Sequence, residues 1–209
     1  MGEIKIGKIA LGMYGTNCYF VYDADTLDAV VIDPADSGEY LYDSLTGKGF
    51  KVKGILLTHG HFDHIYGVRG LKKKAECKVY AFEAEEELLK DPHLNVSESV
   101  GRLATVEPDI LLRDMEEFEV AGIKFTAILT PGHTAGSGCF YIKDAGFLIA
   151  GDTLFAGSIG RSDLPTGNGR QLIESVEEKL FVLPGDTKVY PGHGDVTTIA
   201  YEKENNPFF

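Results

Sequence analysis

Short apolar runs recur along the chain and are separated by glycine, proline and acidic residues. Apolar or alternating runs with such boundaries are typical of β-strands. They predict strands at residues 4–6, 18–22, 29–32, 55–57, 77–81, 110–112, 118–120, 123–129, 138–142 and 147–150, with a further short strand around Val189.

Helices are predicted where apolar residues return every three or four positions. Leu41 and Leu45 mark the first helix, which Asp36 and Ser37 are predicted to cap. Further helices are predicted over residues 65–74, 83–90 and 172–180, and residues 91–108 are predicted to form a loop with a short helix. Two sets of strands with interspersed helices predict an α+β fold in which two packed sheets are flanked by helices.

Length and composition suit a globular protein. The chain has 209 residues, of which 44% are hydrophobic and 25% charged, and no linker rich in proline, glycine and serine divides it. One domain over residues 1–209 is therefore predicted. Thirty-two acidic against 20 basic residues give a net charge of −12. Because such a charge repels phosphates, the sequence predicts no nucleic-acid partner.

The cysteine and hydropathy patterns give an expectation for the cellular compartment of the protein. Cys18, Cys77 and Cys139 are odd in number and far apart, which predicts free thiols rather than a disulfide framework. No apolar stretch of signal-peptide length follows Met1, and no run approaches the ~20 apolar residues that span a bilayer. A cytoplasmic protein without membrane contact is predicted.

The apolar run at residues 55–57 leads directly into Thr58-His59-Gly60-His61-Phe62-Asp63-His64, which contains four metal-ligand side chains. A loop can direct several side chains at one point, which a regular strand or helix cannot do at these offsets. Three imidazoles and a carboxylate suit a borderline divalent metal such as zinc, iron or manganese. The segment therefore predicts a metal site at the end of this strand.

Two further histidines stand in the same context. His133 and His193 each follow a Pro-Gly pair at the end of a predicted strand, and Asp152 follows the strand at residues 147–150. Glycine permits a tight exit from a strand, so the next side chain projects over the sheet edge. Of the six histidines, only His93 lies outside this pattern, and it is predicted to be an ordinary polar residue.

These motifs resemble the metallo-β-lactamase superfamily. The His-x-His-x-Asp-His loop, His133, Asp152 and the final Pro-Gly-His193 match its order and spacing from about residue 14 to residue 195. More narrowly, Gly-Ser-Ile-Gly-Arg-Ser-Asp-Leu-Pro at residues 157–165 and the tail at residues 201–208 resemble short bacterial hydrolases similar to glyoxalase II (hydroxyacylglutathione hydrolase). The resemblance implies a four-layer αββα sandwich with a metal site at one edge between the sheets.

The resemblance also implies the roles of the ligands. One metal would be held by His59, His61 and His133, and a second by Asp63, His64 and His193, with Asp152 bridging the two. The implied cofactor is a pair of divalent ions, zinc first, with iron or manganese as alternatives. A hydroxide between two such metals would be the nucleophile. Asp63 and Asp152 are accordingly the residues expected to take part in catalysis, because they would hold the metals that bind this hydroxide.

Arg161 and Asp163 have two interpretations. The Arg161 guanidinium suits a substrate carboxylate, which it would bind in a two-pronged geometry. Alternatively, Arg161 contacts Asp163 or the backbone and shapes the loop. Both interpretations stay open at the level of the sequence.

The resemblance implies a hydrolase that cleaves a small-molecule thioester of the S-2-hydroxyacyl kind. Longer glyoxalase II enzymes have a C-terminal helical region that helps to bind glutathione, and this sequence has no equivalent after His193, so another thiol carrier is compatible with it. The alternative is a persulfide dioxygenase of the same superfamily, which uses one non-haem iron and has a segment similar to Gly160-Arg161-Ser162-Asp163. Lactonase and β-lactamase activities are more distant. The pattern predicts no particular oligomeric state.

Overall fold

A computed structural model describes residues 2–209, and most of its strands form two six-stranded sheets. The first sheet takes its strands in chain order: β1 (Ile4–Leu11), β2 (Thr16–Asp23), β3 (Asp28–Ile32), β4 (Lys51–Leu56), β5 (Lys78–Phe82) and β6 (Ile110–Leu112). β1, β2 and β3 pair antiparallel, whereas β3 to β6 pair parallel. The carboxyl ends of β3, β4, β5 and β6 therefore lie at one edge.

The second half of the chain supplies β7 (Glu116–Val120), β8 (Ile123–Leu129), β9 (Gly138–Ile142), β10 (Phe147–Gly151), β11 (Leu154–Phe155), β12 (Ser158–Ile159), β13 (Lys188–Pro191) and β14 (Thr197–Thr198). The second sheet has the order β14-β13-β10-β9-β8-β7, and β11 and β12 form a separate hairpin. β10 and β13 pair parallel, while β8, β9 and β10 alternate in direction. Consequently β8, β10 and β13 all end at the same edge.

Residues 2–209 contain six α-helices: α1 (Gly38–Thr46), α2 (Phe62–Ile65), α3 (Val68–Ala75), α4 (Glu86–Lys90), α5 (Gly169–Ser175) and α6 (Ile199–Asn205), the last of which follows β14. A 3-10 turn over Glu83–Glu85 precedes α4, and a π-helical turn over Val176–Leu180 continues α5. None of the helices within residues 2–209 is both long and apolar enough to cross a bilayer.

Three apolar layers hold these elements together. Between the sheets, residues such as Ile32 and Leu56 from the first sheet pack with Phe125 and Phe140 from the second. The outer face of the first sheet is covered by α1 and α3, and that of the second by the α5–π segment and α6. The predicted αββα sandwich is confirmed.

Three local predictions are wrong. The helix predicted over residues 65–74 is divided into α2 and α3, because Gly67 lies against the backbone before α1 and its N–H donates to the Pro34 carbonyl at 2.7 Å. The predicted side-chain cap of α1 is missing within the described chain: Ser37 is left-handed at φ 48°, and the Asp36 carboxylate instead binds Arg102. Residues 91–109 contain turns in place of the predicted short helix.

Candidate metal centre

The site lies where strand ends from both sheets meet. β4 leads into the loop that carries His59 and His61, whereas β8, β10 and β13 lead into the segments that carry His133, Asp152 and His193. Because these strands end at the facing edges of the two packed sheets, seven side chains from four segments of sequence are brought together. The structure thus brings together every predicted ligand position.

Three imidazoles form the first group. His133 Nε2 lies 2.9 Å from His61 Nδ1 and 3.2 Å from His59 Nε2. Each side chain is at most 3% exposed. Ligand atoms around a tetrahedral zinc with bonds of about 2.0–2.1 Å lie roughly 3.3 Å apart, so this spacing is close to that of a metal site.

Asp63, His64 and His193 form the second group. Asp63 Oδ2 lies 3.3 Å from His193 Nε2 and 3.8 Å from His64 Nε2. The Thr16 hydroxyl donates to the same carboxylate oxygen at 3.0 Å. Asp63 is thereby held in place from the β2 side, with its carboxylate facing both imidazoles.

Asp152 lies between the two groups. Its Oδ1 is 3.4 Å from His64 Nε2, and its Oδ2 is 3.6 Å from both His133 Nε2 and His193 Nε2. The carboxylate therefore faces one histidine of the first group and two of the second. This is the position that a bridging ligand requires.

The donor set fits divalent metals. Ligand atoms of each group lie within 4.8 Å of one another, and the groups combine imidazole nitrogens with carboxylate oxygens, which zinc, iron and manganese accept. Within residues 2–209, His64 Nε2 and Asp152 Oδ1 are buried without a hydrogen-bond partner although they face each other. Buried polar atoms are normally paired, and a cation held between these two atoms would satisfy both.

In His59 and His133 the ring nitrogen that faces away from the site is hydrogen-bonded, which leaves the other nitrogen free to bind a metal. Thr58 Oγ1 gives its only proton to Asp33 Oδ2 at 2.6 Å, so it accepts from His59 Nδ1 at 3.1 Å. His133 Nδ1 donates to the Arg161 carbonyl at 2.7 Å. In both rings the proton lies on Nδ1, and the Nε2 lone pair is available to a metal.

The electrostatics of the two groups differ. Burial, together with the neighbouring imidazoles, lowers the pKa of His59 well below its usual range and the pKa of His61 to about 3. These rings are therefore neutral, as ligands must be. Burial also opposes charge on His64, but Asp152 and Asp63 raise its pKa well above the usual range. The second group thus stabilises positive charge at its centre.

Asp33 is a site residue that the sequence pattern does not reveal, because an aspartate followed by Pro34 at the end of a strand is typical of an ordinary turn. It follows β3, which is parallel to β4, and its carboxylate accepts from the Thr58 N–H at 2.8 Å and lies 2.9 Å from His64 Nδ1. Asp33 could itself form a metal group with His59 and His64. However, its oxygens already accept from Thr58 and His64, which makes it a support for the ligands.

Asn17 holds the loop that carries His193 and was also missed. Its Nδ2 donates to the carbonyls of Pro191 and Gly194 at 2.9 and 3.0 Å. Between them, Gly192 approaches so closely that a Cβ there would clash with the Asp152 carboxylate and the His64 ring. Glycine at this position therefore lets the His193 loop pass over the site.

The Glu85 carboxylate links the loop of His59 and His61 to the loop of His133. Its carboxylate accepts from the Gly60 N–H at 2.8 Å and from the Thr134 hydroxyl at 2.9 Å, and the side chain is 1% exposed. Gly60 lies between His59 and His61, and Thr134 follows His133. Burial raises the pKa of Glu85 to about 7, against these hydrogen bonds, which lower it.

This raised pKa predicts a pH-dependent stability. Between pH 4.5, the ordinary pKa, and about 7, the folded chain keeps a proton on Glu85 that the unfolded chain has lost. The free energy of unfolding should therefore fall as pH rises through this window, by about 3 kcal/mol. Glu85→Gln keeps the shape without the charge and should lack this loss. Urea unfolding of both proteins at about pH 5 and about pH 8, with equal metal loading, measures the difference. Parallel pH profiles would refute the prediction.

Arg161 and His93 stand apart from the predicted ligands. The Arg161 guanidinium binds the Asp163 carboxylate through two hydrogen bonds of 2.7 and 2.8 Å, and both side chains are more than 60% exposed. This geometry matches the loop-shaping interpretation, and a substrate carboxylate would have to displace Asp163. His93 lies at the surface, 3.3 Å from Glu98, outside the metal groups found in residues 2–209.

Comparisons with known proteins agree with this geometry. The sequence model of the family described as "Metallo-beta-lactamase superfamily" matches residues 11–193. The chain is 37% identical over 207 residues to the "Probable metallo-hydrolase YqgX" of Bacillus subtilis, covering 98% of this chain and 97% of that protein. It is 32% identical over 211 residues to the "Hydroxyacylglutathione hydrolase GloC" of Haemophilus influenzae, covering 98% of each.

Solved structures with a similar fold include one in a di-iron-bound form. The structure of the BLEG-1 B3 metallo-beta-lactamase has a TM-score of 0.92 at 38% identity and covers 98% of this chain and 99% of that one. The protein TTHA1623 in a di-iron-bound form has a TM-score of 0.85 at 33% identity, with 97% and 100% covered. ETHE1 from Myxococcus xanthus has a TM-score of 0.78 at 27% identity, with 97% and 83% covered.

Proposed function

This chain belongs to the metallo-β-lactamase superfamily, and we propose that it is a metal-dependent hydrolase of a small thioester. The observation that carries the proposal is the pair of ligand groups joined at Asp152, with neutral imidazoles on one side and ionised carboxylates on the other. The choice of a thioester is supported by the similarity over 98% of each chain to the relative named hydroxyacylglutathione hydrolase.

The proposed cofactor is two divalent ions, zinc first. His59, His61 and His133 would hold one ion, Asp63, His64 and His193 the other, and Asp152 both. A bound divalent metal lowers the pKa of its water toward ~7, which supplies hydroxide at neutral pH. The pKa of Asp152 is lowered to about 2 by His64 and other imidazoles despite its burial, so its carboxylate stays ionised at neutral pH and faces the cations with full charge.

Water is the proposed nucleophile, since the thiols near the site are unsuitable. Cys139 lies buried in β9, and burial raises its pKa to about 11. Cys18 is buried in β2, and burial raises its pKa as well. A reactive cysteine needs the opposite, an accessible thiol with a lowered pKa. In the proposed reaction the oxygen of water bonds to the carbonyl carbon, the carbon–sulfur bond breaks, and the sulfur leaves as a thiol.

Persulfide oxidation is the second candidate. It is supported by the similarity to the ETHE1 structure and by the Gly160-Arg161-Ser162-Asp163 segment, and the di-iron-bound neighbour shows that iron occurs on this fold. That reaction needs molecular oxygen as oxidant, whereas thioester hydrolysis does not. Consumption of oxygen therefore separates the two reactions.

The test is one preparation with its metal content measured, assayed aerobically and anaerobically. We expect release of free thiol from small thioesters under both conditions, loss of activity on chelation, and a falling rate below neutral pH, where the hydroxide is protonated. Glutathione persulfide and a chromogenic β-lactam serve as the comparison substrates. Oxygen uptake with the persulfide while all thioesters stay intact would replace the hydrolase with the dioxygenase.

Arg161→Ala tests the proposed contact with a substrate carboxylate. If the guanidinium leaves Asp163 for the substrate, Arg161→Ala should raise KM about tenfold with little change in kcat. The reason is that the lost contact stabilises bound substrate and transition state equally, while the nucleophile remains. Asp163→Ala is the matched variant, and it should lower KM or leave it unchanged because it frees the guanidinium. Equal increases of KM in both variants would instead assign the pair to loop structure.

A further inference from the structure

A pocket of about 320 Å³ opens beside the metal centre. Asp63 and Thr16 form its inner wall, and the Thr16 hydroxyl donates to the Asp63 carboxylate at 3.0 Å. Ligand pockets in proteins enclose roughly 300–1,000 Å³, so the space suits one small group rather than a whole cofactor. Because Asp63 belongs to both the metal centre and the pocket lining, a molecule that reacts at the metals can place one of its substituents in this pocket.

The flank of the pocket is aromatic. Tyr14 and Phe62 meet edge to face with ring centroids 5.3 Å apart, and Phe62 lies 5.5 Å from Tyr66. At the mouth, Met13 is 88% and Val100 40% exposed, although both are large apolar residues. Exposed apolar side chains around a concave site are typical of a binding surface for an apolar group.

The charges in the lining disfavour an anion. The guanidinium of Arg102 binds the Asp36 carboxylate at 2.7 and 3.3 Å and lies 3.9 Å from the centroid of the Tyr66 ring. Its charge is therefore already paired with that of Asp36. A carboxylate or phosphate placed here would have to compete with Asp36 for Arg102.

We propose that this pocket binds the acyl group of the substrate, and that this acyl group is uncharged and apolar, with an aromatic ring as its preferred form. The inference rests on the proposed thioester hydrolysis. Thiol carriers such as glutathione and coenzyme A bear carboxylates or phosphates, and the one guanidinium among the described lining residues is already paired with Asp36, so the thiol half is assigned to the solvent side of the site. Tyr14, Phe62 and Tyr66 give the lining three aromatic rings, against which a further aromatic ring can pack.

The specificity test uses two thioesters of N-acetylcysteamine, an uncharged thiol. The phenylacetyl thioester should have a kcat/KM about tenfold above that of the acetyl thioester, and Tyr14→Ala should remove most of this ratio. Val100→Trp, which narrows the mouth, should remove it as well. Tyr40→Ala is the matched control, because Tyr40 is 67% exposed on α1 and outside the pocket lining.

A binding measurement keeps the test independent of turnover. Titration calorimetry on the metal-loaded protein should give tighter binding of phenylacetate than of acetate, with the difference lost in Tyr14→Ala and kept in Tyr40→Ala. If no thioester is hydrolysed but this difference holds, the proposed function fails while the apolar pocket stands. If thioesters are hydrolysed with a ratio that Tyr14→Ala and Val100→Trp leave unchanged, the pocket inference is overturned. A preference that follows the thiol half instead of the acyl half would also overturn it.

Discussion

Replacement of Asp152 by alanine should reduce kcat/KM about a thousandfold or more, which corresponds to a loss of about 4 kcal/mol of transition-state stabilisation. Its two oxygens face His64, His133 and His193, so one substitution removes a charge from both proposed metal positions. We expect two metal ions per chain in the wild type and a loss that affects both positions in Asp152→Ala. Elemental analysis after dialysis, combined with the thioester assay, measures both effects.

Asp186→Ala is the matched control for this prediction, because Asp186 is an exposed aspartate on the loop before β13. It should keep the metal content and rate of the wild type. A variant of Asp152 that keeps both ions would show that the carboxylate does not bridge. A wild-type protein with a single tightly held ion, unaffected by His64→Ala or His193→Ala, would overturn the binuclear arrangement altogether.

Much of the fold is predictable from the sequence, because strands and helices that pack in layers have a periodic pattern of apolar residues. The strands β3, β8, β9 and β10 match the predicted runs closely, since β3, β9 and β10 are buried on both faces and β8 alternates over most of its length. The divided helix α2–α3 was not predictable, because the division depends on a close contact of Gly67 with a distant backbone segment. The helix α6 was missed because its apolar face is limited to a few residues, such as Ile199.

The positions of the seven predicted ligands are predictable from local sequence, because each lies in a segment that follows a strand. Their role as metal ligands stays a prediction. The supporting residues carry no such signal. Glu85 stands in a run of four glutamates broken by one alanine, and only the fold shows that this one is buried while Glu86 and Glu87 are not. Asp33 could have been found from one argument, namely that β3 and β4 are parallel neighbours and therefore end at the same edge. Asn17 binds carbonyls more than 170 positions away, which no local pattern predicts.

His61→Ala and His93→Ala form a matched pair that tests the ligand set. His61 is 3% exposed and contributes one of three converging imidazole nitrogens, whereas His93 has a side chain that is 75% exposed. Loss of a residue that only supports a ligand costs about 10–100-fold in metal affinity, so loss of the ligand itself should exceed about a hundredfold. We expect His61→Ala to lose about one ion and nearly all activity, and His93→Ala to keep both.

The two variants also separate a metal effect from a folding effect. His61→Ala leaves Glu85 bound to Gly60 and Thr134, so the loop keeps its support and the circular dichroism spectrum should match that of the wild type. Added zinc should then restore occupancy only at concentrations about a hundredfold higher, in proportion to the lost affinity. Loss of an ion in His93→Ala, or full metal content in His61→Ala, would mean that the ligands are assigned incorrectly. The first result would place a metal at the surface beside Glu98, and the second would leave His59 and His133 as a sufficient pair.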